Sequence, residues 1–236
     1  TDSSVVLDTA DYQTYVLVSS GHNTGVTMRC SQIYNDMWCS NGVDSVFKWS
    51  GTAKTILDGT LGTPNVPKGK YFGLFKERVF MFNLPSDASG IRFTDVRSTN
   101  NAIINPSNFL AWPGGNLLHA GEGDGQIGTA FWLENGRAKF GKERSIYTLY
   151  GTNATNFDPT ISNPNVGVAS QDSLVMLDNQ SHFVGHDGLY RNETRISDLI
   201  EDNVELIDKS GVKTVGNVWD TQSDFAKGQF YGTTAT

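Results

Sequence analysis

The chain has 236 residues, 38% of them hydrophobic and only 18% charged, with 25 glycines; this suits a turn-rich β protein with a sizeable core and argues against disorder. Eighteen Lys+Arg stand against 25 Asp+Glu for a net charge of −7, and no basic run exceeds Lys142-Glu143-Arg144, so gripping of nucleic-acid phosphates is disfavoured. No apolar run approaches the ~18 residues of a membrane span.

Short β-rich runs at 5–7 and 15–19 flank a polar turn at 8–13 and read as half of a sheet. Residues 26–49 then run strand, polar turn, strand, turn, strand. Cys30 and Cys39 fall on the two arms of the first hairpin. With Asn35-Asp36 as its turn, Cys39 faces Gln32 rather than Cys30, which favours reduced, buried thiols and leaves the compartment undecided. A connecting loop follows at 51–70, with one strand at 55–57. The strand–turn–strand unit returns at 71–96, where Val79-Phe80-Met81-Phe82 is too apolar for a face open to water and should be covered on both sides.

Residues 97–122, with Pro106, Trp112-Pro113 and Gly114-Gly115, read as an inserted irregular excursion, with Trp112 plugging a gap in the core. A third unit at 127–150 carries Glu134-Asn135-Gly136, a type I′ hairpin signal, because Asn-Gly tolerates positive φ at both central positions. A polar loop at 153–166 leads to the fourth unit, 174–191, with a turn at His186-Asp187-Gly188. An amphipathic helix is expected over 197–207, capped by Ser197, with Ile196, Ile200, Val204 and Ile207 as its apolar stripe. Residues 221–236 are small and polar, a tail or a linker to a further domain.

The four units place their first turns near Asn35, Glu77, Asn135 and Asn179, steps of 42, 58 and 44 residues. A hairpin-built period of roughly 40–50 residues predicts an all-β chain of the β-propeller class, each repeat one blade of antiparallel strands. About five blades are expected over 1–220, the fifth a composite of the N-terminal strands and 212–219 that hides both edges. Trp38, Trp49, Phe80, Phe82, Phe131, Trp132, Tyr147, Tyr150, Phe183 and Tyr190 should fill the core between blades.

No constellation in the sequence carries chemistry, so no catalytic, cofactor-binding or metal-binding residue is expected. His22, His119, His182 and His186 are dispersed; the last two have the spacing of a helical metal pair but flank a hairpin turn. Gly121-Glu122-Gly123-Asp124-Gly125 lacks the ligand series of a calcium loop and the Lys-Ser/Thr of a phosphate loop, and reads as a tight strand-entry turn. Lys76-Glu77-Arg78 and Lys142-Glu143-Arg144 read as independent solvated turns. The sequons at Asn153, Asn179 and Asn192 are chance matches in an Asn- and Thr-rich chain, and no nucleophile elbow occurs.

Residues 120–151 (AGEGDGQIGTAFWLENGRAKFGKERSIYTLYG) resemble a segment of propeller-type virion proteins of tailed bacteriophages. There a Gly-acidic-Gly-Asp turn leads into a hairpin and a Phe-x-Lys-Glu-Arg-Ser-Ile-Tyr strand. Residues 38–51, 70–82 and 168–200 are similar, in order, to flanking pieces of the same proteins. Gln126, where Pro is frequent, and Phe140-Gly141, which interrupts an apolar–Lys run, depart from the pattern. The resemblance implies a structural part of a phage neck, tail nozzle, tail tip or adaptor, located in the virion. It also implies a homo-oligomeric ring with other virion proteins, through which DNA passes without specific binding. The alternatives are a propeller that binds host-surface glycans and, behind it, a polysaccharide-degrading enzyme.

Overall fold

The structure is a computed structural model that describes residues 3–8, 15–60, 65–96, 112–197, 206–207 and 213–214. Strands β1 (Ser3–Asp8) and β2 (Tyr15–His22) pair antiparallel. Four meanders follow, each a four-stranded antiparallel sheet: β3 (Arg29–Ile33), β4 (Asp36–Ser40), β5 (Phe47–Trp49) and β6 (Lys54–Ile56); then β7 (Tyr71–Phe75), β8 (Arg78–Leu84), β9 (Asp87–Phe93) and β10 (Leu117–His119). The third leaf is β11 (Gly128–Glu134), β12 (Arg137–Lys142), β13 (Ile146–Tyr150) and β14 (Asp158–Asn163). The fourth is β15 (Val175–Leu177), β16 (Gln180–Val184), β17 (Leu189–Arg191) and β18 (Thr194–Arg195). A short pair, β19 (Leu206–Ile207) and β20 (Lys213–Thr214), lies beyond them. The expected all-β chain of successive propeller-type leaves is therefore present, each leaf strand-paired in sequence order.

Two-residue turns set the register of each leaf. Lys76 and Glu77 (φ 48° and 56°), Asn135 and Gly136 (50° and 70°), and Asp178 and Asn179 (49° and 60°) each place both turn residues in the left-handed region. This is the type I′ conformation whose twist matches paired strands. All three lie where the sequence places first turns.

The first hairpin differs by one residue from expectation. Its turn is Tyr34-Asn35, with Tyr34 at φ 55°, so Cys30 pairs directly with Cys39 and the two form a disulfide. The expectation of free thiols is corrected: a one-residue shift moves every side chain's partner. Closing a loop across a separation of nine residues is worth about 2–3 kcal/mol. Calorimetry with dithiothreitol should therefore show a melting temperature lower by roughly 4–10 °C; an unchanged value would mean that the cysteines are unlinked.

The chain divides into two compact units, Thr1–Glu122 with Gly151–Phe157, and Gly123–Tyr150 with Asp158–Thr236. In the first, Ile33, Trp38, Val46 and Leu57 of leaf one pack with Phe72, Val79 and Met81 of leaf two, and Trp112 covers the cluster's edge. Strand β8 alternates its large side chains to two faces, so Val79 and Met81 enter this cluster while Phe80 and Phe82, fully buried, serve the other. There Phe80 stacks on Phe93 at 5.2 Å and meets Phe157 edge-on at 5.7 Å. In the second unit, Ala130, Trp132 and Ile146 of leaf three pack with Phe183 and Tyr190 of leaf four and with Val168.

Of the expected core residues, Trp38, Phe80, Phe82, Phe131, Trp132, Tyr147, Phe183 and Tyr190 are buried. Tyr150 is 42% exposed, because it ends β13 beyond the packed rows and is covered by the Arg137 guanidinium 4.5 Å from its ring. Trp49 is half-buried. The excursion at 97–122 is irregular only in part: residues 97–111 lie outside those described, but Leu117–His119 pairs with Gly90–Arg92 as the fourth strand of leaf two. The polar loop at 153–166 likewise contains β14, which pairs with β13. Of the helix expected over 197–207, residues 198–205 lie outside those described, and Leu206–Ile207 is a strand paired with Lys213–Thr214. Ile207, the end of the stripe read as helical, is β-branched and fits a strand. Of the composite leaf expected from the N-terminal strands and 212–219, the N-terminal pair β1-β2 and residues 213–214 are described; the rest of 212–219 lies outside the described residues.

Candidate functional site

The residues that drew attention in the sequence are mostly braces. In the Gly-rich turn, Gly121, Gly123 and Gly125 take φ of 69°, 76° and 72°. The Asp124 carboxylate accepts from the Gln126 backbone N–H at 2.9 Å and from the Lys142 ammonium at 2.6 Å. Lys142 is completely buried and its Nζ lies 5.9 Å from the Tyr147 ring centre. Burial, then the nearby Asp124 charge, raises the Tyr147 hydroxyl above its ordinary pKa. The Gln126 side-chain carbonyl accepts from the Arg144 N–H and the Ser145 hydroxyl, at 2.9 and 3.2 Å. The expected strand-entry turn is thus a ligand for the protein's own lysine.

The reading of the two Lys-Glu-Arg tripeptides as solvated turns is corrected at two positions. Lys142 is buried for the reason just given. Arg78, 7% exposed, donates to the Thr94 carbonyl at 2.7 Å, with its guanidinium 5.9 Å from the Phe93 and Phe157 ring centres. Lys76 and Glu77 do form an exposed turn; Lys76 donates to the Gly151 carbonyl at 2.6 Å and Glu77 accepts from the Tyr34 hydroxyl at 3.2 Å.

A second brace joins leaves three and four. Glu134, its side chain 1% exposed, lies 2.6 Å from Lys139 and accepts the Ser181 backbone N–H at 2.7 Å. Lys139 also pairs with Glu193, which accepts from the Ser162 hydroxyl at 3.3 Å. Burial alone would raise the Glu134 carboxyl; hydrogen bonds from Lys139 and Ser181 outweigh it and the net shift is downward. Burial would lower the Lys139 ammonium, yet its two carboxylates carry it upward.

The histidines are not brought together. His182 contacts the Gln180 carbonyl at 3.2 Å, His186 is exposed, and His22 stacks on Phe47 with ring centres 5.4 Å apart. His119 lies 2.9 Å from Asp87. Among the described residues no group of three His, Cys, Asp or Glu is placed to hold a metal ion.

Two clefts open on the first unit. One, about 390 Å³, is lined by Pro67, Leu84, Pro85, Asp87, Arg92 and Leu117. Its Arg92 guanidinium is held by the carbonyls of Trp112, Pro113 and Gly114 at 3.3–3.4 Å, so it serves to pin the strand-entry segment before β10. The other, about 460 Å³, lies beside the disulfide and is lined by Ser31, Gln32, Asn35, Asp36, Met37 and Trp49 among others. Gln32, Met37 and Trp49 form one cross-strand row over β3, β4 and β5. That row exists only with the Tyr34-Asn35 turn, so the sequence, read one residue out of register, does not reveal it. The Asp36 carboxylate pairs with Lys48 at 2.7 Å on the face of the sheet opposite that row.

No protein-family model matches this chain, and no curated protein does. A solved structure titled "YCF48 bound to D1 peptide" is similar over 77% of this chain, at 12% identity and a TM-score of 0.44. The similarity covers 55% of that chain, so the present chain spans little more than half of its length.

Proposed function

We propose that this chain is a structural part of a tailed-phage virion, in a neck, tail-nozzle or adaptor ring, and that it acts by assembly and not by catalysis. In this reading the leaves close into a propeller of about five blades over 1–220, and its acidic surface lines a DNA passage without holding the polymer. The resemblance of residues 120–151 to virion propellers supplies the particle. The structural observation that carries the mode of action is β15. All three of its residues are exposed, Val175 at 52%, Met176 at 38% and Leu177 at 55%, and it is the terminal strand of its sheet. A bare apolar edge strand is a template for pairing, and proteins that must stay monomeric blunt such edges with charge or proline.

Replacing Val175 and Leu177 together by lysine should therefore weaken self-association without lowering the melting temperature. Sedimentation velocity on both proteins reads this; equal association in both would remove β15 from the interface. The particle itself is tested by electron micrographs of virions labelled with an antibody to this chain. Label confined to a neck or tail position is the expected result, and virions that carry none would end the proposal.

A further inference from the structure

We infer that the groove beside Trp49 is a binding site for a neutral saccharide. This inference stands on the groove alone and goes beyond the assembly role. Its volume of about 460 Å³ is in the range of small-molecule sites, roughly 300–1,000 Å³. Its composition is that of an amphipathic ligand's mirror image: an apolar floor of Met37 and Trp49, cross-strand neighbours, with the Gln32 amide in the same row and the Asn35 amide at the turn. A pyranose offers a C–H face to an aromatic ring and hydroxyls, each donor and acceptor, to the groups at its edge.

Charge decides against other small ligands. Asp36 and Lys48 pair with each other on the opposite face of the sheet, and the cation nearest the floor, Lys54 opposite Trp49, is directed to the Ser19 hydroxyl at 2.5 Å and the Phe47 ring. No unpaired cation lines the groove to hold a phosphate or carboxylate, and no second carboxylate lines it to hold a cation. Hydrogen-bonding groups do remain. The Asn35 amide and the Trp49 indole N–H make no hydrogen bond to any described residue, and Gln32 uses only its Nε2, which donates to the Tyr34 carbonyl. Mixed donors and acceptors on a neutral, half-apolar floor fit hydroxyls better than they fit a purely apolar or a charged group.

The test uses the whole chain labelled with nitrogen-15 and follows the indole N–H signals of its five tryptophans. The Trp49 signal is assigned by its loss in Trp49→Phe, which keeps an aromatic ring on the floor. The probes are maltose, lactose and N,N′-diacetylchitobiose, with glucose 6-phosphate as the charged comparison. At least one neutral disaccharide should shift the Trp49 signal saturably, with a dissociation constant on the order of 1 mM, and leave that of Trp132 in place. Gln32→Ala with Asn35→Ala should weaken this at least fivefold while the other indole signals show the fold intact. The inference fails if none of the three disaccharides gives a saturable shift, if glucose 6-phosphate gives an equal one, or if the double variant binds as the parent does.

Discussion

Glu134→Ala should destabilise the fold by about 3 kcal/mol, the lower end of the cost of breaking a buried ion pair. The carboxylate is 1% exposed and serves two donors, Lys139 at 2.6 Å and the Ser181 N–H at 2.7 Å. Alanine leaves the N–H without its acceptor, while Glu193 still holds Lys139, which is why the lower figure is expected. Glu134→Gln keeps an acceptor for Ser181 and loses only the charge, so a smaller drop of about 1–2 kcal/mol is expected. Urea unfolding midpoints give both values. The pH dependence has a definite sign. A carboxyl lowered by folding, as Glu134 is, contributes stability above its ordinary range and loses it as pH falls through the folded value. An ammonium raised by folding, as Lys139 is, contributes below the ordinary lysine range and loses it as pH rises through the folded value. The difference between wild type and Glu134→Gln should thus be flat near neutrality and shrink in acid. Midpoints that stay equally far apart down through the carboxylate range would remove the ion pair from the account.

Phe80→Ala should cost about 3–5 kcal/mol, the range for deleting a fully buried aromatic side chain. Phe80 has no exposed surface and touches three other rings, Phe93 at 5.2 Å, Phe157 at 5.7 Å and Phe75 at 6.0 Å between centres. Two of these neighbours also flank the Arg78 guanidinium, so a cavity here loosens the support of a buried cation. Tyr150→Ala is the control: that ring is 42% exposed, and a change within about 0.5–1 kcal/mol is expected. Denaturant unfolding of the pair reads the contrast. Equal losses at the two positions would mean that the aromatic stack of leaf two is not a core.

The leaves themselves were legible because their signals are local. Val79 to Phe82 shows apolar residues at every position, and the structure covers both faces of β8. Asn135-Gly136 marks its turn through the one backbone region that L-residues avoid and these two tolerate. The fourth strands were less so. Asp158–Asn163 is polar and carries Pro159, and it is a strand only because β13 offers it an edge. Nor did any local signal separate Tyr34-Asn35 from Asn35-Asp36 as the first turn, and that single residue decides both the disulfide and the row of Gln32, Met37 and Trp49.

Alternation of apolar residues and the chemistry of two-residue turns, both properties of neighbours along the chain, were enough to determine an all-β protein of repeated leaves. The braces and the groove needed the tertiary structure. Glu134 meets Ser181 across 47 residues and Lys139 meets Glu193 across 54. Whether a charged side chain lies in water or in the core depends on such distant partners, because only their arrival compensates the loss of hydration.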